Sequence, residues 1–241
     1  VDYFKGNVGS RPSINTTSPD LWLNLHIENN EATISIDTSG GSLHRRGYRK
    51  DAVTAPMAET LAAAIIQHSG WDKVTPLHDP FCGSGTLLCE AYLYAGNTPP
   101  GILRGKYGFE MMPDFDGGIW GSVKHEAERK IIPVRRGLLS GSDISPEAVR
   151  SSIKNCSVID IKKVIEIKKK DIFDMESIEG KIIVGNPPYG IRQGANLDLM
   201  KFYERLGDFL KRRCYGSTAY LYFGERKYIK SVGLKPSWKK S

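Results

Sequence analysis

Apolar and polar residues alternate through residues 21–27 (LWLNLHI), which sets Leu21, Leu23, Leu25 and Ile27 on one face, and again through residues 32–36 (ATISI) across a polar ENNE. A period of two on either side of a tight turn predicts a β-hairpin. The period then changes. From Pro56 to Gly70, Met57, Leu61, Ala64, Ile65 and His68 recur at helical spacing, with Thr54 as candidate N-cap. Beyond it, short apolar runs alternate with helical patterns: strand 77–81, helices 84–95 and 122–133, strand 138–142, helix 146–155, strands 163–168 and 181–185, helix 197–213 and strand 217–224. That order predicts an α/β fold whose mostly parallel, doubly wound sheet carries helices on both faces. Such sheets bind ligands beyond the carboxyl ends of their strands.

The informative residues fall at those ends. The first strand runs into DPFCGSGT, where Gly83 and Gly85 permit a tight turn and close approach to a ligand, and the next helix offers N–H groups to an anion. The string is neither a G-x-G-x-x-G nor a phosphate loop, since no Lys follows. With Asp79 placed for an ammonium and the loop for a carboxylate, it suits an amino-acid-bearing cofactor. Asp143 after the second strand is placed to accept from ribose hydroxyls, and Asp171 after the third to bind an adenine amino group. Each acid alone could equally cap a helix; three at consecutive strand ends point to a ligand. The strand IIVG then stops at NPPY, residues 186–189. Prolines cannot donate to a ladder, so they form a rigid corner. Asn186 and Pro187 present an amide oxygen and a carbonyl, both acceptors for an exocyclic amino group, and Tyr189 offers a stacking face. A conjugated amine held by two acceptors becomes pyramidal and directs its lone pair outward, so catalysis rests on positioning and electrostatics.

With 241 residues, 40% of them apolar, the chain can bury a full core, and it contains no run long enough for a membrane span. Cys82, Cys89, Cys156 and Cys214 lack ligand or disulfide spacing, which predicts reduced thiols, no metal and a cytoplasmic protein. The net charge of +7 is concentrated: from Lys201 to Ser241 there are eleven Lys and Arg against three acids. With HRRGYR at 44–49, this suggests a polyanionic partner.

DPFCGSGT paired with NPPYG resembles the signature of class I, Rossmann-like methyltransferases that use S-adenosyl-L-methionine to modify amino nitrogens. DTSGGSLHRRGYRKDAVTAPMAETLAAAII resembles the start of the catalytic domain in THUMP-domain RNA guanine-N2 methyltransferases. The likeness runs from about Asp20 to about Phe223. The insertion PPGILRGKYGFEMMPDFDGGIW, residues 99–120, is more similar to the large-subunit ribosomal RNA enzymes than to the tRNA enzymes. The resemblance implies a THUMP-like remnant at 1–43 and a methyltransferase domain at 44–241. It also implies a cofactor site formed by Asp79, Pro80, Phe81, Cys82, Gly83, Ser84, Gly85, Thr86, Asp143, Ile144, Asp171, Ile172 and Asn186, with Ala55, Pro56 and Met57 alongside. The catalytic corner would be Asn186, Pro187, Pro188 and Tyr189. RNA contacts are expected at Arg45, Arg46, Tyr48, Arg49, Lys211, Arg212 and Arg213. A monomer is expected, as is a fragment lacking most of a THUMP module and one last strand.

Three substrates stay open on the residues alone: guanine N2 in structured RNA, ribosomal or transfer; adenine N6 in DNA or RNA; and glutamine N5 in a protein. A corner of acceptors recognises an amino group rather than the ring that bears it. The basic segments favour a nucleic acid. An RNA-binding module without chemistry would not need both an intact loop and an intact corner.

Overall fold

The structure, a computed structural model, describes residues 2–11, 13–17, 19–51, 56–161, 164–189, 198–237 and 239. The chain divides into two compact units, Val1–Leu43 with Arg104–Lys124, and His44–Leu103 with His125–Ser241.

In the first unit a short helix α1 (Asp2–Val8), which the apolar pattern did not reveal, precedes the hairpin β1 (Trp22–Glu28) and β2 (Glu31–Asp37). The strands pair antiparallel with Leu25 opposite Ile34. Asn29 and Asn30 take φ of 50° and 63°, the left-handed pair that a two-residue hairpin turn requires. The insertion packs on the outgoing strand: Phe109 N–H donates to the Thr38 carbonyl at 2.8 Å and Arg104 Nη2 to the Gly41 carbonyl at 2.7 Å. Tyr107, Phe109 and Trp120 give it a small aromatic core, with ring centroids 5.0–5.5 Å apart. Helix α4 (Gly117–Arg129) starts five residues before its expected position, because Asp116 accepts from the N–H groups of Gly118 and Ile119 and caps a Gly-Gly start that propensity disfavours.

The second unit is built on β3 (Leu77–Asp79), β4 (Leu139–Asp143), β5 (Ile165–Lys169), β6 (Ile182–Gly185) and β7 (Thr218–Leu221), in the order β5-β4-β3-β6-β7. All four pairings are parallel. Helix α2 (Glu59–His68) precedes the sheet, and α3 (Thr86–Ala95), α5 (Pro146–Val158) and α6 (Leu199–Arg213) lie between its strands. Consecutive strand residues face opposite sides. Accordingly Val184 joins Leu77, Leu139, Ile66 and Leu88 in one core, whereas Ile183 joins Tyr203, Leu206 and Phe209 of α6 in another. The sheet is therefore covered on both faces, and the chain reverses its strand order between β3 and β6, the switch point at which such sheets bind ligands. The proposed cap Thr54 lies outside the described residues; at the start of α2 the N-cap is Ala58, with no side-chain bond. Among the described residues no helix is long and apolar enough to cross a membrane.

Candidate functional site

β3 delivers Asp79 at its carboxyl end, and the chain must then reach the first turn of α3 at Thr86. Gly85 makes this feasible: its φ is +80°, and a Cβ there would strike the Ser152 hydroxyl. Asp79 is buried. Its Oδ1 accepts from the Phe81 N–H at 3.0 Å, while Oδ2 has no hydrogen-bond partner. Burial, with Asp143 nearby, pushes its pKa up to about 8. Asp143 ends β4 and spans two loops, Oδ2 accepting from Gly83 N–H at 2.9 Å and Oδ1 from Ser145 N–H at 3.0 Å. Asp171 caps the short 3-10 turn Ile172–Asp174, accepting from Phe173 N–H at 3.0 Å. All three strand-end acids thus also brace the backbone around them, and only Asp79 keeps a buried oxygen without a partner. Burial holds the Cys82 thiol well above its usual range, so it supplies no thiolate.

These residues converge on one cavity of about 790 Å³, the size of a small-molecule site. Its wall includes Pro56, Met57, Asp79, Pro80, Phe81, Cys82, Gly83, Ser84, Thr86, Asp143, Ile144, Asp171, Ile172, Asn186 and Pro188. Gly85, Pro187 and Tyr189 stand back from it, and Ala55 lies outside the described residues. The sequence reading did not include Phe173, Lys170, Asp198, Lys201, Phe202 and Arg205, which also line the cavity. Phe202 packs edge-on to Phe81 and Phe173, at centroid distances of 5.9 and 5.5 Å, and the Arg205 guanidinium lies 4.0 Å over the Phe173 ring. The first turn of α6 had to lie here, since a helix following a parallel strand starts at the carboxyl edge.

The corner follows β6 directly. Asn186 Oδ1 is buried without a hydrogen-bond partner on the same cavity wall as Asp79 Oδ2. Pro187 is buried. The Pro188 carbonyl accepts from the Tyr203 hydroxyl at 3.0 Å. Tyr189, 37% exposed, lies against Gly224, where any Cβ would collide with its ring, and edge-on to Tyr222 at 6.5 Å. An acceptor buried without a donor costs free energy until a ligand supplies one, and this cavity has two, one at each strand of the switch point.

The structure corrects three of the seven expected RNA contacts. Tyr48 is 1% exposed, and its hydroxyl donates to Glu90 Oε1 at 2.8 Å. Arg46 pairs with the same buried Glu90 at 3.5 Å. Arg49 reaches inward to the Met57 carbonyl (2.6 Å), Thr86 Oγ1 (3.1 Å) and Glu59 (3.4 Å). HRRGYR is therefore an internal strap whose cations neutralise buried acids. The readable signal was Glu90 itself, an acid in the middle of the apolar LLCEAYL. Arg45 is exposed. Lys211, Arg212 and Arg213 are exposed but lie at the far edge of the sheet: Arg213 donates to the Met175 carbonyl at 2.9 Å, and its own carbonyl accepts from Ile178 just before β6 begins. Because α6 runs back antiparallel to β6 for 15 residues, roughly 22 Å of helix separates its two ends, so a base at the corner does not meet that cluster.

Residues 46–241 match the family described as RMKL-like, methyltransferase domain, and residues 1–37 match the THUMP domain. The chain is 37% identical over 239 residues to the Synechocystis protein slr0064, covering 98% of this chain and 62% of that one. It is also 37% identical over 245 residues to the ribosomal RNA large subunit methyltransferase K/L of Allochromatium vinosum, again 98% of this chain but 33% of the relative. The chain thus spans between a third and three-fifths of the length of these relatives. Among solved structures, that of SMU.472 complexed with SAH superposes with a TM-score of 0.82 at 26% identity, over 98% of this chain and 62% of that one.

Proposed function

The chain belongs to the RMKL-like methyltransferase family, with a THUMP match ahead of the catalytic fold, and from that premise we propose that it methylates the exocyclic N2 amino group of a guanosine in large-subunit ribosomal RNA. The observation that carries this reading is the pair of buried, unpartnered acceptors, Asp79 Oδ2 and Asn186 Oδ1, on the wall of one cavity.

S-adenosyl-L-methionine is the methyl donor of this fold, and the residues fit it. Asp79 Oδ2 lacks the donor that the α-ammonium of an amino acid would provide. The α3 N-terminus, with Ser84 and Thr86 on the cavity wall, suits the carboxylate. Asp143 faces the same space with lone pairs for ribose hydroxyls. Asp171, beside Ile172 and the Phe173 and Phe202 rings, suits an adenine with its amino group. Bound there, the cofactor supplies an electrophilic methyl group.

The rest is the work of the corner. Tyr203 already occupies the Pro188 carbonyl, which leaves Asn186 Oδ1 and the Pro187 carbonyl to accept the two N–H groups of the target amine. Held so, the nitrogen loses conjugation with its ring and presents its lone pair, the charge that develops being stabilised by fixed dipoles. The Tyr189 ring gives the base a stacking face. The amine needs no strong base to activate it, since its proton becomes acidic only once the nitrogen has bonded to carbon. Of the expected phosphate contacts Arg45 remains, with Lys211, Arg212 and Arg213 exposed further along the sheet, joined by Lys170, Lys201 and Arg205 at the cavity.

Mass spectrometry of nucleosides from unmodified large-subunit ribosomal RNA, incubated with the protein and isotopically labelled S-adenosylmethionine, tests the reading. Labelled N2-methylguanosine is expected. Labelled N6-methyladenosine would replace guanine by adenine, and label in neither would remove RNA as the substrate.

A further inference from the structure

The double proline creates a problem of anchorage. Neither Pro187 nor Pro188 has an N–H, so the strand ladder that holds β6 in register cannot extend to the corner. At the Pro-Pro step a tether must therefore come from a donor elsewhere and end on a carbonyl. The Tyr203 hydroxyl is such a donor, 3.0 Å from the Pro188 oxygen.

Tyr203 is built for a fixed direction. The residue is fully buried. Its ring stacks on Tyr228 at 5.0 Å with planes 14° apart and lies 5.4 Å from Phe223. Packed on these sides, the buried ring is held with its hydroxyl on the corner. Burial, followed by the neighbouring Tyr228, raises the pKa of the phenol, so it keeps its proton and remains a donor across the working pH range.

We propose that Tyr203 is the positioning residue of the methyl-transfer corner: by fixing the Pro188 carbonyl it sets the plane of the Pro188–Tyr189 peptide, and so the direction of Tyr189, which would stack on the base, relative to Asn186, which would hold the amine. The inference rests on the function proposed above. It assigns the α6 aromatic residues two separate tasks, since Phe202 faces the cavity while its neighbour Tyr203 braces the corner from behind. It also makes the segment after β7, through Tyr228, part of the support for chemistry carried out at β6.

The test is a pair of replacements, Tyr203→Phe and Tyr203→4-aminophenylalanine, the second keeping a donor at the same place. Single-turnover methylation of unmodified large-subunit ribosomal RNA is measured at saturating S-adenosylmethionine, beside calorimetric affinity for S-adenosylhomocysteine and thermal melting. Tyr203→Phe should lower the rate about five- to tenfold, the worth of one hydrogen bond. Cofactor affinity should be unchanged, and 4-aminophenylalanine should restore most of the rate. In the Tyr189→Ala background the effect of Tyr203→Phe should shrink, because the two act through one peptide. A wild-type rate in Tyr203→Phe would overturn the proposal even if its melting temperature fell, as would a slow rate that the amine does not rescue. If the wild type itself transfers no methyl group, the functional reading fails instead, and the wild-type measurement distinguishes the two failures.

Discussion

Asp79 allows a prediction with a sign and a shape. In the ligand-free protein one of its oxygens accepts from the Phe81 N–H and the other from nothing, and burial near Asp143 sets its pKa at about 8. Gripping an α-ammonium requires the carboxylate, so below pH 8 binding must first expel a proton. The ligand has a limit of its own at higher pH, where its α-amino group loses its charge. The product of the two ionisations gives affinity an acidic limb set by Asp79 and an alkaline limb set by the ligand. At pH 6.5 roughly 3% of Asp79 is ionised against about half at pH 8, which makes binding about sixteenfold weaker. Calorimetry with S-adenosylhomocysteine, in buffers of different ionisation enthalpy, reads both affinity and protons. Close to one proton should be released at pH 6.5 and about half of one at pH 8, with uptake only on the alkaline limb. Asp79→Asn should lose the acidic limb and keep the alkaline one. An acidic limb that persists in Asp79→Asn would refute the assignment of Asp79 to the ammonium.

Three further outcomes follow from the same structure. Asn186→Ala should slow single-turnover methyl transfer by roughly 10²–10³ with cofactor affinity nearly unchanged, since it removes a contact that tightens in the transition state; a wild-type rate would make the Pro-Pro corner only a turn. Arg49→Ala should lower the melting temperature by stranding buried Glu59 while leaving the salt dependence of RNA affinity intact, whereas Arg45→Ala should leave melting alone and reduce that slope by about one. His78 lies buried between Ser140 and Ser142, and burial, followed by Lys181, lowers its pKa to about 4. Its folded-state value is below the ordinary 6.5, so its contribution is complete above pH 6.5 and is lost as the pH falls toward 4, to the extent of about 3 kcal/mol. Denaturant titrations of the wild type should show that loss, and His78→Gln should not.

How much of this was legible depended on whether a residue's role is local. The β3 loop and the β6 corner could be read because Gly and Pro dictate backbone shape wherever they occur, and because strand-end acids follow from alternation alone. The strap could not be read from its own letters, since an Arg that meets a phosphate and one that meets Glu59 are spelled alike. Only Glu90, set among Leu88, Leu93 and Ala91, signalled that something cationic must come inside. The distance of Lys211–Arg213 from the corner was hidden for a geometric reason: a crossover helix reverses direction, so its last turn ends far from the cavity that its first turn lines. Tyr203 was hidden among ordinary core aromatics, because nothing in its neighbours reveals that its hydroxyl meets a carbonyl fifteen residues back. The early start of α4 rested on Asp116, a cap strong enough to begin a helix on two glycines.

The opposite facing of Ile183 and Val184 has a consequence for how this protein can change. Each residue is locked into a different core, so β6 cannot slide by one position to relieve a substitution without exchanging both side chains. Such a slide would also carry Asn186 to the wrong side of the sheet. Repacking by sliding, a common way for a sheet to absorb mutation, is therefore closed to the strand that carries the amine acceptor. Variation in the two cores must preserve volume residue by residue, and freer divergence is left to segments such as the insertion after α3, whose packing does not pass through β6.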